Sequence, residues 1–221
     1  MSRRSAIVIA TLVAVIAAAW GYTKHARAEN ERMLASVAGE IAGRPVHVHC
    51  QSWTAQLVDV SSESGWVPYD QYGRPQPQTD LKRQVCNELH RFRSESTHPE
   101  IDCLTAIDWS TWSLDRNASD PCPTRAWSTA NAINTLAHES IHMRGETNEA
   151  VTQCYAIQED AWTTEALGGT LAEGWAVAEF MLALQPWLPG MYQSAECRRG
   201  GSLDLHPQTP DFPTERTPTL P

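Results

Sequence analysis

The stretch 138–149 constrains this chain more than any other. It begins His138-Glu139-Ser140-Ile141-His142, runs past Gly145 and ends at Glu149. Four residues turn a helix by about 400°, so His138 and His142 share one face, about 6 Å apart along the axis. Two histidines at this spacing are a zinc-binding pattern, with the glutamate between them as general base. Ile133, Ala137 and Ile141 lie about a quarter turn away, so the helix can bury one side and present the histidines to a cleft. Two ligands do not make a site: a third is needed, with the fourth position left to water. On an unbroken helix Glu149 would share the histidine face but sit about 10 Å beyond His142, too far to ligate. Gly145 is where the chain can turn back, as a helix-ending glycine. A second helix starting at 146 or 147 and running through 162, capped by Thr147 or Asn148, then carries Glu149, Gln153, Ala156 and Asp160 on one face. Its apolar face is Ala150, Cys154, Ile157 and Ala161. The expectation is a helical hairpin with His138, His142 and Glu149 as ligands to Zn2+ and Glu139 as base, Glu146 and Glu173 being second choices for the third ligand.

The N-terminus reads as a targeting segment. Arg3 and Arg4 precede an apolar run over 6–20, and Ala26-Arg27-Ala28 has the small-x-small form of a cleavage site. Residues 1–28 are therefore a secretory signal peptide or an N-terminal membrane anchor, the run being at the short end of the roughly 17–25 residues a spanning helix needs. Either way the rest of the chain is extracytoplasmic, secreted or anchored by a single N-terminal helix. Six cysteines follow: Cys50, Cys86, Cys103, Cys122, Cys154 and Cys197. An even number in an exported chain points to three disulfides of open connectivity. No Cys-x-x-Cys pair exists, which removes a thiolate zinc site or a redox motif. A net charge of −9 argues against nucleic acid as a partner. The membrane is a partner only through the N-terminal segment, if that is uncleaved.

The remaining pattern is α+β and predominantly helical, with a small strand region, over a domain spanning 29–204. Helices are expected over 29–42, from Leu81 through Phe92 with Thr79 or Asp80 as cap, over 124–144, and over 171–184. Residues 46–50 alternate with period two and read as a strand, followed by a second extended stretch over 55–60; Trp66 to Tyr69 is a candidate short strand crossing the domain. His47 and His49 read as an exposed strand face, and His98, before a proline, as exposed. Asn117-Ala118-Ser119 matches a glycosylation acceptor triplet and marks a surface loop. Residues 205–221, rich in proline, read as a disordered tail.

His138-Glu139-Ser140-Ile141-His142 followed by Asn148-Glu149-Ala150 resembles the zincin metallopeptidases. It is most similar to gluzincins of the thermolysin type, whose third ligand is a glutamate in an Asn-Glu-Ala-like helix. The resemblance implies that His138, His142 and Glu149 bind zinc in a zincin-like active-site hairpin. It also implies that Glu139 activates a water for peptide-bond hydrolysis, with a peptide or protein as substrate. It covers about 30 residues. The chain departs from the pattern in two places: the gap between the motifs is shorter, and Gln153 stands where an aspartate usually supports a histidine. A rival frame, His-Glu-x-x-His-x-x-Gly as in metzincins, is completed by Gly145 but places Asn148, a poor zinc ligand, at the third position. Tyr155 and His206 are candidates to stabilise an oxyanion. The alternative to an enzyme is a non-catalytic envelope protein that keeps a zinc fold for binding or structure.

Overall fold

Helix α1 (Arg3–Ala42) runs unbroken from the basic start, through the apolar run, into the body of the molecule. Leu12, Val15 and Tyr22 are exposed on it, whereas Leu34, Val37, Ala38, Ile41 and Ala42 are buried. The segment 29–42 is thus a core element, and Ala26-Arg27-Ala28 lies within α1. The structure, a computed structural model, describes residues 3–56, 63–109, 122–209 and 211–213. Among the described residues no helix is long and apolar enough to cross a membrane.

Gly43, at positive φ, ends α1 and the chain enters β1 (His47–Cys50). The short helix α2 (Trp53–Gln56) follows. The expected extended stretch 55–60 is therefore helical at its described start, and 57–60 lie outside the described residues. Strands β2 (Gly65–Trp66) and β3 (Gln78–Leu81) complete a three-stranded sheet of order β1-β3-β2. β1 pairs parallel with β3, Val48 opposite Thr79 and Cys50 opposite Leu81, all four buried. β2 pairs antiparallel on the other side of β3 and forms an edge. His47 and His49 face outward as expected; His49 Nδ1 lies 2.6 Å from Asp80 of β3, a partner supplied by strand pairing.

Leu81 belongs to β3 and not to the following helix, as a continuous helical pattern had implied. Thr79 and Leu81 alternate with more exposed neighbours, and pairing on both sides satisfies their backbone groups. Lys82, in an extended conformation, separates β3 from α3 (Arg83–Ser94), which buries Val85, Cys86, Leu89 and Phe92. After α4 (Pro99–Thr105) comes a stretch, 110–121, that holds Trp112 and the Asn117-Ala118-Ser119 triplet and lies outside the described residues.

Helix α5 (Thr124–Arg144) is the centre of the fold. Every residue from Ala132 to Met143 is buried, which is why its apolar pattern is broad: a helix enclosed on all sides needs no polar face. α1, α3 and the sheet lie against it, and α6 (Glu149–Ala166) packs back along it as the second arm of a hairpin. α7 (Leu171–Leu184) packs on α6, starting at a capping box formed by Thr170 and Glu173. Two 3-10 turns, Gln185–Trp187 and Gly190–Tyr192, then bring the chain back towards the α5–α6 hairpin.

The disulfides join neighbours in sequence: Cys50–Cys86, Cys103–Cys122 and Cys154–Cys197. They tie β1 to α3, α4 to the start of α5, and α6 to the segment after α7. Three such bridges fit an oxidising, extracytoplasmic setting. Phe212, within the proline-rich stretch, is 1% exposed against the Cys154–Cys197 bridge. The result is an α+β molecule, mostly helical, with a small sheet and three disulfides.

Candidate metal centre

Gly145 adopts φ 123° and ends α5, its amide bonding the His142 carbonyl at 2.8 Å. The positive φ is open to glycine and strained for other residues. Three residues later Asn148 caps α6, its side chain accepting from the Val151 amide. Glu146 stabilises the turn between them, its carboxylate accepting from the Thr147 and Asn148 amides. α6 starts at Glu149, three or two residues after the position expected from sequence, because the turn uses 145–148 in full.

This turn returns Glu149 to the two histidines. Glu149 Oε2 lies 3.1 Å from His138 Nε2 and 3.3 Å from His142 Nε2, and the two Nε2 atoms are 3.1 Å apart. Among the described residues this is the group of His, Cys, Asp or Glu able to hold a metal ion. His138 and His142 are 8% and 4% exposed.

The outer ring nitrogens decide what the inner ones can do. His142 Nδ1 donates to the Glu146 carbonyl at 2.8 Å. His138 Nδ1 donates to Gln153 Oε1 at 2.9 Å; Gln153 Nε2 donates to Asn134 Oδ1 at 3.0 Å, and Asn134 Nδ2 to Asp160 Oδ2 at 2.9 Å. Carbonyl oxygens only accept, so both Nδ1 atoms carry the proton and both Nε2 lone pairs face inward. Two lone pairs and a carboxylate directed at one point repel unless a cation sits among them: a proton, or a metal ion. The residues present therefore fit a metal ion, with their supporting contacts in place. Gln153 fills the place of the expected aspartate, and Asn134 with the buried Asp160 extends the support. Neither Asn134 nor Asp160 was singled out as supporting a ligand. The signal lay in their spacing: Asn134 is one turn before His138, and Asp160 shares the face of Glu149 and Gln153.

Glu139 lies beside this cluster, 5% exposed, with Oε2 buried and without a hydrogen-bond partner. Burial pushes its carboxyl up to about 8; His142 opposes the shift, and Glu149 and Glu63 add to it. Glu149 moves the other way, to about 2, held down by its bonds to His138 and His142. Burial alone would lower the His142 imidazole, but Glu149 and the Glu146 carbonyl outweigh it and raise it.

The cluster forms the floor of a cleft of about 450 Å³. One wall is the edge strand: a Cβ at Gly65 would lie 2.9 Å from Glu139 Cγ and 2.8 Å from Leu81 Cδ2, so β2 passes this close to Glu139 only as glycine. Met181, Leu188, Pro189 and Tyr192 line the cleft from the α7 side, Tyr69 and Val67 from the sheet side. The Tyr192 ring is 5.9 Å from that of His138. Both tyrosine hydroxyls are raised, first by burial and then by the nearby glutamates. Tyr155 and His206, expected near the reacting atoms, do not line the cleft; Tyr155 packs instead against Ile41, Ala137, Ile141 and Ala156. The two second choices for third ligand are used elsewhere: Glu146 in the turn, and Glu173 against His98 in the capping box of α7. His98 is 3% exposed, correcting the expectation of a surface histidine: it stacks on Phe92 and bonds Glu173.

Comparison of the chain with family models, curated proteins and solved structures gives no match.

Proposed function

We propose that the chain is a zinc-dependent peptidase of zincin-like type, acting outside the cytoplasm, secreted or held there by its N-terminal segment. The observation that carries this reading is the convergence of His138 Nε2, His142 Nε2 and Glu149 Oε2 to mutual distances of 3.1, 3.1 and 3.3 Å. Ligands about 2.0–2.1 Å from a tetrahedral zinc ion stand about 3.3 Å from one another. Two imidazoles and a carboxylate, with an open cleft beside them, make a catalytic rather than a closed donor set.

His138, His142 and Glu149 would hold the ion. When bound, zinc supplies Lewis acidity, polarising a peptide carbonyl and making a water nucleophilic near neutral pH. Glu139 takes the proton of the attacking water and passes it to the leaving amine. Its buried Oε2 has no hydrogen-bond partner, and a bound cation would counter the burial that raises this carboxyl, leaving the carboxylate to accept the proton. Tyr69 and Tyr192, facing the cleft, offer hydroxyl donors to the oxygen that gains charge. Gln153, the departure that favoured a non-catalytic zinc fold, accepts the His138 Nδ1 proton as an aspartate would.

The test is metal content together with hydrolysis. Protein purified without chelators should hold one zinc ion per chain and cleave peptides. Glu139→Gln should keep the zinc and lose about 10²- to 10⁴-fold in rate. Absence of stoichiometric zinc sinks the proposal; zinc without hydrolysis in either protein leaves only the binding role.

A further inference from the structure

The side chains lining the cleft carry charge of one sign. Glu63, Glu139 and Glu149 line it, and no lysine or arginine does among the described residues. A bound divalent ion would lower the Glu139 carboxyl again and offset the charges of Glu139 and Glu149 together, and the Glu63 charge is left over. Glu63 is exposed, two residues before the start of β2, and makes no hydrogen bond or ion pair with any described residue. It lines the same cleft as Glu139 and Tyr192. Glu139, whose Oε2 is buried and without a hydrogen-bond partner, lines the same space. The chain as a whole, at −9, adds attraction for cations.

We infer that the cleft selects peptides bearing a positive charge, with the Glu63 carboxylate as its contact. The inference rests on the peptidase reading for its substrate class. The shared chemistry is an ammonium or guanidinium group, supplied by a free peptide N-terminus or by a lysine or arginine side chain. A terminal carboxylate has no cationic residue to receive it among the described lining residues, so the cleft disfavours recognition of a peptide C-terminus.

Binding separates this from catalysis. The full-length, zinc-loaded Glu139→Gln protein is titrated with three labelled hexapeptides of otherwise equal sequence. One has a free N-terminus and neutral side chains, one is acetylated with a central arginine, and one is acetylated and neutral. Either cationic peptide should bind about fivefold tighter than the neutral one, the order expected of a solvent-exposed pair, and the margin should shrink with added salt. The peptide that shows the margin identifies the source of the charge. Glu63→Gln, added to the same background, should erase the margin while zinc content stays at one per chain. Equal binding of all three, a margin that survives Glu63→Gln, or no binding at all overturns the inference. Loss of the peptidase reading would appear separately, as absence of hydrolysis by the protein carrying Glu139.

Discussion

Among the described residues, two clusters set buried histidines against a glutamate, and they leave the histidine nitrogens in opposite states. In one, His98 stacks on Phe92, with Nδ1 2.9 Å from Glu173 and Nε2 donating to the Phe92 carbonyl at 2.9 Å. Both ring nitrogens are committed, and Glu173 also accepts from the Thr170 amide. In the other, His138 and His142 commit only Nδ1, and their Nε2 atoms meet Glu149 at the floor of a cleft. Burial beside a carboxylate is common to both. What makes a metal centre is a nitrogen left bare by its tautomer and directed at open space; without that, the same residue types are a structural bolt.

The largest effect should come from taking the carboxylate out of the open cluster. Glu149→Ala leaves two ligands where zinc needs three from the protein. Zinc content should fall from one per chain to near zero, and hydrolysis with it. Metal analysis after dialysis checks this, and retention of stoichiometric zinc would mean that another group closes the site.

The closed cluster should respond in stability alone. His98→Leu leaves Glu173 buried without its partner, at a cost of about 3 kcal/mol. Glu173→Leu added to it should recover part of that loss, because the unpartnered carboxylate is removed while the Thr170 amide loses its cap. Zinc content should not change in either. Urea denaturation and metal analysis on the same samples distinguish the two clusters; zinc loss in His98→Leu would join what the geometry separates.

How these clusters read from sequence follows from their range. His138, His142, Gly145 and Glu149 lie within 12 residues, and helix geometry alone determines which of them can meet. That hairpin was legible, including the need for Gly145 to turn the chain. His98 was misread because its partner Glu173 lies 75 residues away and its environment depends on the packing of α3 and α7. The same holds for Glu63, Gly65 and Tyr192, which reach the cleft from a strand edge and from the turn after α7. β3 was partly hidden because Thr79 and Leu81 are as compatible with a helix start as with a strand until β1 is placed beside them. The support for His138 fell between these cases: Gln153 was noted, but the link through Asn134 requires knowing how the two arms of the hairpin face one another.

That support gives the next effect. Gln153→Leu keeps the volume but removes the acceptor for His138 Nδ1, leaving the ring free to change tautomer and orientation. Zinc affinity should drop by about 10- to 100-fold, the usual cost of losing such a contact. Gln153→Glu, which restores an acceptor, should recover most of it. Competition with a chromogenic chelator measures both. If the two variants bind zinc equally, the amide only fills space.

The smallest effect tests the far end of the same chain of bonds. Asp160 is fully buried, and burial raises its carboxyl well above the ordinary value, against the opposing bond from Asn134. A carboxyl whose folded value is raised binds its proton more tightly folded than unfolded. The unfolded chain gives up that proton near pH 4, the folded chain only at higher pH, so stability falls as pH rises above about 4. Asp160→Asn keeps an acceptor for Asn134 and removes the titration. Its stability should therefore vary less with pH above 4 and, near neutrality, exceed that of the protein carrying Asp160 by about 1 kcal/mol or more. Zinc affinity should stay within about threefold, since Gln153 and Asn134 keep their contacts. A chelated sample, followed by thermal denaturation from pH 4 to 8, isolates the carboxyl from the metal. Parallel curves for the two proteins would show that Asp160 is ionised in the fold, and that the support for His138 ends in a charge rather than in a neutral acid.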